Sequence, residues 1–331
     1  MAKPVLLSIV ISCYTTERLR DILDLLGSVE AQDYKHIETV IVVEKSQELL
    51  DQLRGYAAGD TRYPVRVVFN SGETGLSAAR NLGVAEAKGD VIAFVDDDAL
   101  LSASWAQEMI NTYVDESVIG VTGSISPLWQ DGEVGWFPAE LDWILGATGF
   151  ANLNAVVETR NVFGANMSFR KEAFELGGLF LTSLGAKGGG TSGKHELVGE
   201  ETELSMRVRD RTGKRLMFNP KVRAEHKVYS HRITPTFIAR RAYWEGYTKA
   251  LFNRSRSNKH SGTLLNVEHD LLGRILTRLL PRIFFDFFRH PIAALRKLSV
   301  TVNALFFVAV GYLHSSVRSL RPGSTQNLIY E

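Results

Sequence analysis

Three consecutive carboxylates, Asp96-Asp97-Asp98, stand directly after the apolar run 91–95. Adjacent carboxylates repel one another, which costs stability unless a cation sits among them. At a strand end alternate side chains share a face, so Asp96 and Asp98 are expected to point together and Asp97 away. Two oxygen donors at that spacing suit a hard divalent cation, Mg²⁺ or Mn²⁺, which keeps coordination positions for phosphate oxygens. An acidic loop in solvent is the bland alternative; the buried strand leading into the triple argues against it. One helix upstream, Asn70-Ser-Gly72-Glu-Thr-Gly75-Leu-Ser-Ala-Ala-Arg80-Asn81-Leu-Gly83 reads as a glycine-rich turn entering a helix. Backbone N–H groups at such a turn can hold an anion. Arg80, one turn along, is placed to grip a phosphate or a base.

The elements that must position these groups are legible nearby. Residues 5–13 (VLLSIVISC), 37–43, 65–69 and 91–95 are short apolar, β-branched runs, the pattern of strands buried on both faces. Helical spacing fills 18–31, 46–58 and 76–88, and Gly89-Asp90 ends the last of these. Strand and helix alternating in this way predict a doubly wound α/β sheet. Ligands of such sheets bind beyond the carboxyl ends of the strands, where Thr15, Glu44, Asn70 and Asp96 all fall. Further on, 104–115 reads as a helix, 118–126 as a strand and 161–170 as a strand pair or a strand with a turn. Residues 198–212 begin with Glu200, Glu201 and Glu203 and end with Arg207, Arg209 and Arg211, a polarity that suits a helix dipole. Residues 185–193 (GAKGGGTSG) predict a mobile loop, with His195 beside it.

Composition narrows the class. The chain has 331 residues, a net charge of +1 and a single cysteine, Cys13, which excludes a disulfide scaffold and a cysteine zinc site. The N-terminal apolar run has no small-residue cleavage site after it, so a cytoplasmic protein is expected. The near-neutral total conceals two halves. Residues 1–204 hold 15 Lys and Arg against 30 Asp and Glu, whereas residues 205–331 hold 23 against 7. The acidic half suits metal binding or simple solubility; the basic half suits phosphate groups, nucleic acid or an anionic membrane face, and the bland reading is two solvated surfaces that neutralise each other. The basic residues form no recognisable nucleic-acid module, so no nucleic-acid partner is expected.

The C-terminal third reads as helices. Residues 236–252 are basic and aromatic, and from 264 onward Pro281 and Pro291 are expected to cut the chain into three pieces. Leu298 to Val317 contains no Asp, Glu, Lys or Arg, and twenty helical residues span about 30 Å. Helices lying in a membrane interface are the favoured reading. One marginal span, or a hairpin packed on the domain or on a second copy in a homo-oligomer, are the alternatives.

Taken together, the motifs resemble those of the family 2 glycosyltransferases of the GT-A fold. The matching pieces are Ser8 to Glu17, Ile37 to Ser46, Gly75 to Gly83, Phe94-Val-Asp96-Asp-Asp98, Gly164-Ala165-Asn166-Met-Ser-Phe-Arg170 and Gly199-Glu200-Glu201-Thr-Glu203-Leu204. Their order and spacing agree across residues 5–230. The resemblance implies a GT-A Rossmann-like, mostly parallel sheet with a helical, basic extension. It divides the chain into a catalytic domain at 1–232 and a membrane-associating or dimerising extension at 233–331.

The resemblance also implies roles. The reaction would be an inverting transfer from a nucleotide-sugar, a UDP-sugar being favoured. The acceptor would be a lipid-linked intermediate, with a polyprenyl or dolichyl phosphate carrier, or a cell-surface glycan intermediate, at the cytoplasmic side of the cell membrane. Asp96, Asp98 and His226 would serve Mg²⁺ or Mn²⁺. Thr15, Glu17, Glu44, Arg80 and Asp97 would line the nucleotide-sugar site, and Gly164, Ala165 and Asn166 would lie on the acceptor side. Glu201 would be the catalytic base, with Glu200 as runner-up. Two positions depart from the family pattern: Glu44-Lys45 replaces a pair of Asp after the second strand, and Glu201 replaces the usual Asp base. Arg241-Ala-Tyr-Trp244 lacks the Gln of the processive motif, which argues against a polymerase. The competing classes are the same fold with a soluble or protein acceptor, a non-catalytic nucleotide-sugar binder, and a nucleic-acid-binding protein that would leave the acidic triple unexplained.

Overall fold

A computed structural model of the chain describes residues 4–132, 134–186, 197–257 and 266–318, with backbone alone at 255–257. The apolar runs form the strands expected of them. Strands β1 (Leu7–Cys13), β2 (Ile37–Glu44), β3 (Val65–Asn70) and β4 (Val91–Asp96) pair in parallel, in the order β3-β2-β1-β4. The register sets Ser12 beside Asp96 and Glu44 beside Asn70, so all four strands end on one edge. Helices α1 (Leu19–Glu30), α2 (Gln47–Ala57) and α3 (Leu76–Glu86) make the crossovers. Ser46 caps α2 by accepting from the Leu49 N–H at 3.1 Å.

Alternation along the strands feeds two apolar layers. Ile9 and Ile11 of β1 with Ala93 and Val95 of β4 face Ile22, Leu25, Leu49 and Leu53 of α1 and α2. Val10, Ile92 and Phe94 face the opposite layer with Ala79 of α3. Burying each such Leu, Ile, Val or Phe stabilises the fold by roughly 1.5–3 kcal/mol before chain entropy is counted. Sidedness this strict fixes register, because a one-residue slip would exchange the two layers.

The second half of the sheet is antiparallel. After β4 the chain turns through Asp97 and Asp98 into β5 (Ala99–Leu101) and α4 (Trp105–Thr112). It continues through β6 (Val118–Trp129), β7 (Val157–Glu158), β8 (Asn166–Arg170), α5 (Glu172–Gly177), α6 (Glu200–Thr212) and β9 (Arg215–Val228). The full order is β3-β2-β1-β4-β8-β6-β9-β5, with β7 also on β9. Two pairings matter for the site. β4 meets β8 with Val95 opposite Asn166, and β5 meets β9 with Ala99 opposite His226. The loop expected at 185–193 lies, beyond Gly185 and Ala186, outside the described residues, as does His195.

The chain divides into two compact units: a sheet unit in Met1–Ser126, Leu153–Glu196 and Glu200–His226, and a helical unit in Pro127–Asn152, Leu197–Gly199 and Lys227–Glu331. The helical unit contains α7 (Pro235–Ser257), α8 (Asn266–Arg274), α9 (Leu280–Phe287) and α10 (Pro291–Arg318). Its own core includes Leu141, Ile144, Ile238, Ala242, Ile275, Leu279, Ala294 and Ala304. The break expected at Pro281 does not occur. A π-helical turn, Ile275–Leu279, joins α8 to α9, and Pro281 sits in the first turn of α9. The wider turn absorbs the bond that a proline cannot donate, so the helix continues past it. Pro291 does open α10, where its missing N–H costs nothing.

Candidate active site

The acidic triple is assembled by strand pairing. Asp96 is the last residue of β4, and pairing of β5 with β9 brings His226 across from the residue after Asp98. His226 Nε2 lies 2.9 Å from Asp98 Oδ1. One ligand atom each from Asp96, Asp98 and His226 falls within 4.8 Å of the others. Asp98 and His226 are buried, whereas the Asp96 side chain is 33% exposed, which leaves the cluster one open side. Two carboxylate oxygens and an imidazole nitrogen at this separation fit a divalent cation with positions left for substrate oxygens. The expected division of the triple holds in that Asp96 and Asp98 share the cluster, while Asp97 turns to Arg18.

Arg18 is the residue that sequence reading missed. Its Nη1 lies 2.5 Å from Asp97 Oδ1 and 3.0 Å from Asp98 Oδ2. Burial opposes its charge, but Asp97 and Asp98 outweigh that and hold the guanidinium firmly protonated. Burial, opposed by Arg18 and aided by Asp98 and Asp96, holds the Asp97 carboxyl up at about 7. Thr15 builds the seat for this arginine: its Oγ1 accepts from the Glu17 N–H at 3.3 Å and caps the short turn Thr16–Arg18. Glu17 itself is exposed. A signal for Arg18 existed: it follows β1, whose neighbour in a doubly wound sheet is the strand that carries the acids.

Arg80 joins three of the predicted segments. Its side chain is buried, with Nη1 2.7 Å from Glu200 Oε1 and Nη2 3.3 Å from Asp96 Oδ1 and 3.2 Å from the Gly164 carbonyl. The guanidinium also lies over the Phe180 ring at 5.7 Å. Cation–π contact and charge-assisted bonds together fix its plane. The turn ahead of it differs from the anion cradle expected there. Gly75, at φ +130°, adopts a conformation that L side chains rarely take. Its N–H donates to the Glu44 carboxylate at 2.9 and 3.2 Å, and the Leu76 N–H donates to the Ala186 carbonyl at 2.9 Å. Asn70 Nδ2 adds a bond to Glu44 at 2.8 Å. Glu44 is thus buried as the organiser of this turn, its longer side chain reaching donors of its own chain.

The acidic start of α6 separates into distinct environments. Glu200 is buried against Arg80, and Glu203 is held by Arg207 at 2.7 Å. Glu201, between them, is half-buried, and the Thr202 hydroxyl donates to its Oε1 at 3.3 Å. On the acceptor-side segment, Gly164 presents its carbonyl to Arg80, and Ala165 is buried. Asn166 is fully buried, accepting from Trp105 Nε1 at 2.8 Å and donating to the Ser124 and Val222 carbonyls at 3.3 and 2.9 Å. Its side chain is a strut within the interior rather than an open contact.

Comparison with known proteins agrees with this architecture. Residues 8–177 match the profile of Glycosyl transferase family 2. The glucosyl-dolichyl phosphate glucuronosyltransferase of Haloferax volcanii is 31% identical over 248 residues, covering 74% of this chain and 77% of that protein. The mannosyltransferase PcManGT from Pyrobaculum calidifontis, solved with GDP-Man and Mn²⁺, aligns with a TM-score of 0.60 at 17% identity, over 92% of this chain and 86% of that one. GalNAc-T7, solved with UDP, GalNAc and Mn²⁺, aligns at 0.53 and 18% identity over 82% of this chain and 54% of that one. At such identities the two structures speak for the fold alone, and that fold is the GT-A architecture expected from the motifs. With the family profile spanning half of the chain and the Haloferax relative aligned along three quarters of it, this chain belongs to glycosyl transferase family 2 and is a glycosyltransferase.

Proposed function

We propose that this enzyme transfers a sugar, with inversion, from a UDP-sugar to a hydroxyl of a polyprenyl- or dolichyl-phosphate-linked acceptor at the cytoplasmic face of the cell membrane. In this reading 1–232 is the catalytic domain and 233–331 the membrane-associating extension. The observation that carries it is the convergence of Asp96, Asp98 and His226 beside an arginine that also grips the base-bearing helix. The name of the Haloferax relative supports the lipid-phosphate acceptor. The structural neighbours hold UDP in one case and GDP-Man in the other, so the choice of UDP rests on the motifs alone.

Asp96, Asp98 and His226 would hold Mg²⁺ or Mn²⁺. When bound, such an ion supplies charge neutralisation for a departing diphosphate. The remaining steps fall to side chains. Thr15, Glu17 and the loop ordered by Glu44 border the nucleotide, and Asp97 lies toward its ribose. Glu201 accepts the proton of the acceptor hydroxyl as that oxygen attacks the anomeric carbon. The new bond forms opposite the bond that breaks, and the nucleoside diphosphate leaves, so one displacement inverts the centre. Glu200 is the weaker candidate for the base because its carboxylate is committed to Arg80. Arg80 and Gly164 set the distance between the metal cluster and α6.

The test is UDP binding with and without Mn²⁺, followed by transfer to a dolichyl-phosphate-linked sugar. Asp98→Ala should lose the Mn²⁺-dependent part of binding. Glu201→Gln should keep binding and lose transfer. Unchanged turnover in both variants overturns the site; equal turnover on a lipid-free acceptor overturns the acceptor class.

A further inference from the structure

The helical unit carries a surface that the chemistry above does not use. α10 has two unlike faces. Ala294, Val300, Thr301, Ala304, Gly311 and Ser315 are buried. At three-, four- and seven-residue steps on the other side stand Ile292, Leu295, Val302, Phe306, Leu313 and Val317, each more than half exposed. α9 adds exposed Phe284, Phe285 and Phe288. Exposed apolar bulk of this extent on neighbouring helices marks an interaction site. Its setting is cationic: residues 266–318 hold 7 Lys and Arg against 3 Asp and Glu. Arg278, Arg282 and Arg289 are exposed close to the phenylalanines in sequence. Apolar stripe and arginines together match an anionic lipid surface.

Length and composition would also let α10 cross a bilayer. Its packing argues otherwise. A Cβ on Gly246 of α7 would lie 2.0 Å from the Val308 carbonyl oxygen, and one on Gly311 would lie 2.0 Å from that of Tyr243. The two backbones therefore touch, and side-chain bonds follow the contact: Asn303 to the Pro235 carbonyl at 3.5 Å and Asn253 to the Tyr312 hydroxyl at 3.2 Å. Between those contacts α7 carries Arg240, Arg241, Glu245 and Lys249. A spanning α10 would draw these charges to bilayer depth, where each is costly. A helix lying flat leaves them on the water side.

We propose that α9 and α10 lie in the plane of an anionic bilayer, with the apolar stripe sunk into the acyl boundary and Arg282 and Arg289 at phosphate level. The proposal rests on the membrane-associated reading of the enzyme and specifies how this chain meets the membrane.

The test uses the full chain carrying single cysteines at Leu295, Val302, Phe306 or Leu313, each labelled with an environment-sensitive dye. Native Cys13 is buried and its thiol is pushed up by burial, so it stays unlabelled. Vesicles of phosphatidylcholine, with and without phosphatidylglycerol, carry quenchers at graded depths. The expected result is one shared shallow depth for all four labels in the anionic vesicles. Arg282→Gln and Arg289→Gln should each weaken binding about fivefold, in those vesicles alone. Labels deepest at Val302 and Phe306 and shallow at the ends would show a span and overturn the in-plane proposal, leaving the membrane reading intact. Absence of vesicle binding would overturn both. Labels shielded without lipid, in a concentration-dependent dimer, would assign the stripe to a second copy and overturn the proposal as well. Binding indifferent to the arginines would remove the anionic lipid as its partner.

Discussion

The sheet unit and the helical unit place their unusual residues in opposite locations. The sheet unit buries charge: Arg80, Asp98, Glu44 and Glu200 are all under a tenth exposed, and each has a partner within hydrogen-bond reach. The helical unit exposes apolar bulk, with Phe284, Phe285 and Phe288 in solvent. Both arrangements cost free energy in an isolated folded chain, since buried charge loses hydration and exposed phenylalanine gains nothing from burial. Part of the buried charge is settled within the chain, as Glu44 on its turn and Arg80 on Glu200 show; the acidic cluster and the exposed rings are what remain to be matched by a partner. Interior charge is suited to an ion and a phosphorylated donor, and exterior apolar surface to lipid.

The comparison breaks first, and by the widest margin, at the metal cluster. Asp98→Ala removes one of the three side chains proposed to hold the metal and a partner of both Arg18 and His226. Metal charge stabilisation is worth several kcal/mol, so transfer should fall about 1000-fold, with the Mn²⁺ requirement shifted upward in a titration of initial rates. Glu201→Gln should lower kcat about 100- to 1000-fold while the donor KM stays within error, since only proton removal is lost. Equal effects of Glu200→Gln and Glu201→Gln on kcat, with no change in stability from either, would reverse the roles given to the two.

Stability offers a second way to sharpen the contrast. Among the described residues of the helical unit, Asp142 is a buried acid. Burial, aided by nearby Glu140 and opposed by the Gly149 N–H, pushes its carboxyl from 3.8 up to about 7. The folded state therefore holds this proton more tightly than the unfolded chain. The associated stability is complete below about pH 4 and is lost as pH rises through about 7, amounting to about 4 kcal/mol in all. Asp142→Asn should flatten that slope in urea titrations at pH 5 and pH 8. In the sheet unit, Arg18→Gln leaves Asp97 and Asp98 without their shared cation. Because Arg18 is partly exposed, the cost should be about 2 kcal/mol, less than for a fully buried pair, and added Mn²⁺ should recover part of it.

These residues also show where sequence reading reaches its limit. The four parallel strands and their edge were legible because fully buried strands write themselves as unbroken apolar runs. The strand edge pointed to Asp96 and Asp98, but Asp97 and Asp98 lie in the turn between β4 and β5, so the turn and the pairing of β5 with β9, not strand alternation, bring Asp98 beside Asp96 and His226. Arg18 carried a signal that residue type alone does not show: its partners lie about 80 residues away, and it becomes visible only once β1 is placed beside β4. Strand β5 was hidden by its length of three residues behind three aspartates. Asn166 sits where the motif put it, yet its side chain is bonded inward, because β6 and β9 offer it carbonyls that no local pattern announces. Pro281 was read as a stop, but a π-turn just upstream accommodates it. In each case the deciding contact is long-range or depends on backbone geometry rather than on residue type.

The smallest effect on stability separates the two units most directly. Phe169 of the sheet unit is fully buried, and Phe288 of the helical unit is 73% exposed. Truncating Phe169 to Ala should cost about 3–5 kcal/mol, because a cavity opens between Phe174 and the strand layer. Phe288→Ser should change the unfolding free energy by no more than about 0.5 kcal/mol, since the residue is 73% exposed and its ring meets the rings of Phe284 and Phe287, themselves exposed. If exposure there were incidental, the serine variant would match wild type in every assay. If the ring is a membrane contact, the same variant unfolds like wild type in urea and binds vesicles more weakly. A large loss of stability on Phe288→Ser would show that the ring is packed in solution and would erase the contrast between the two units.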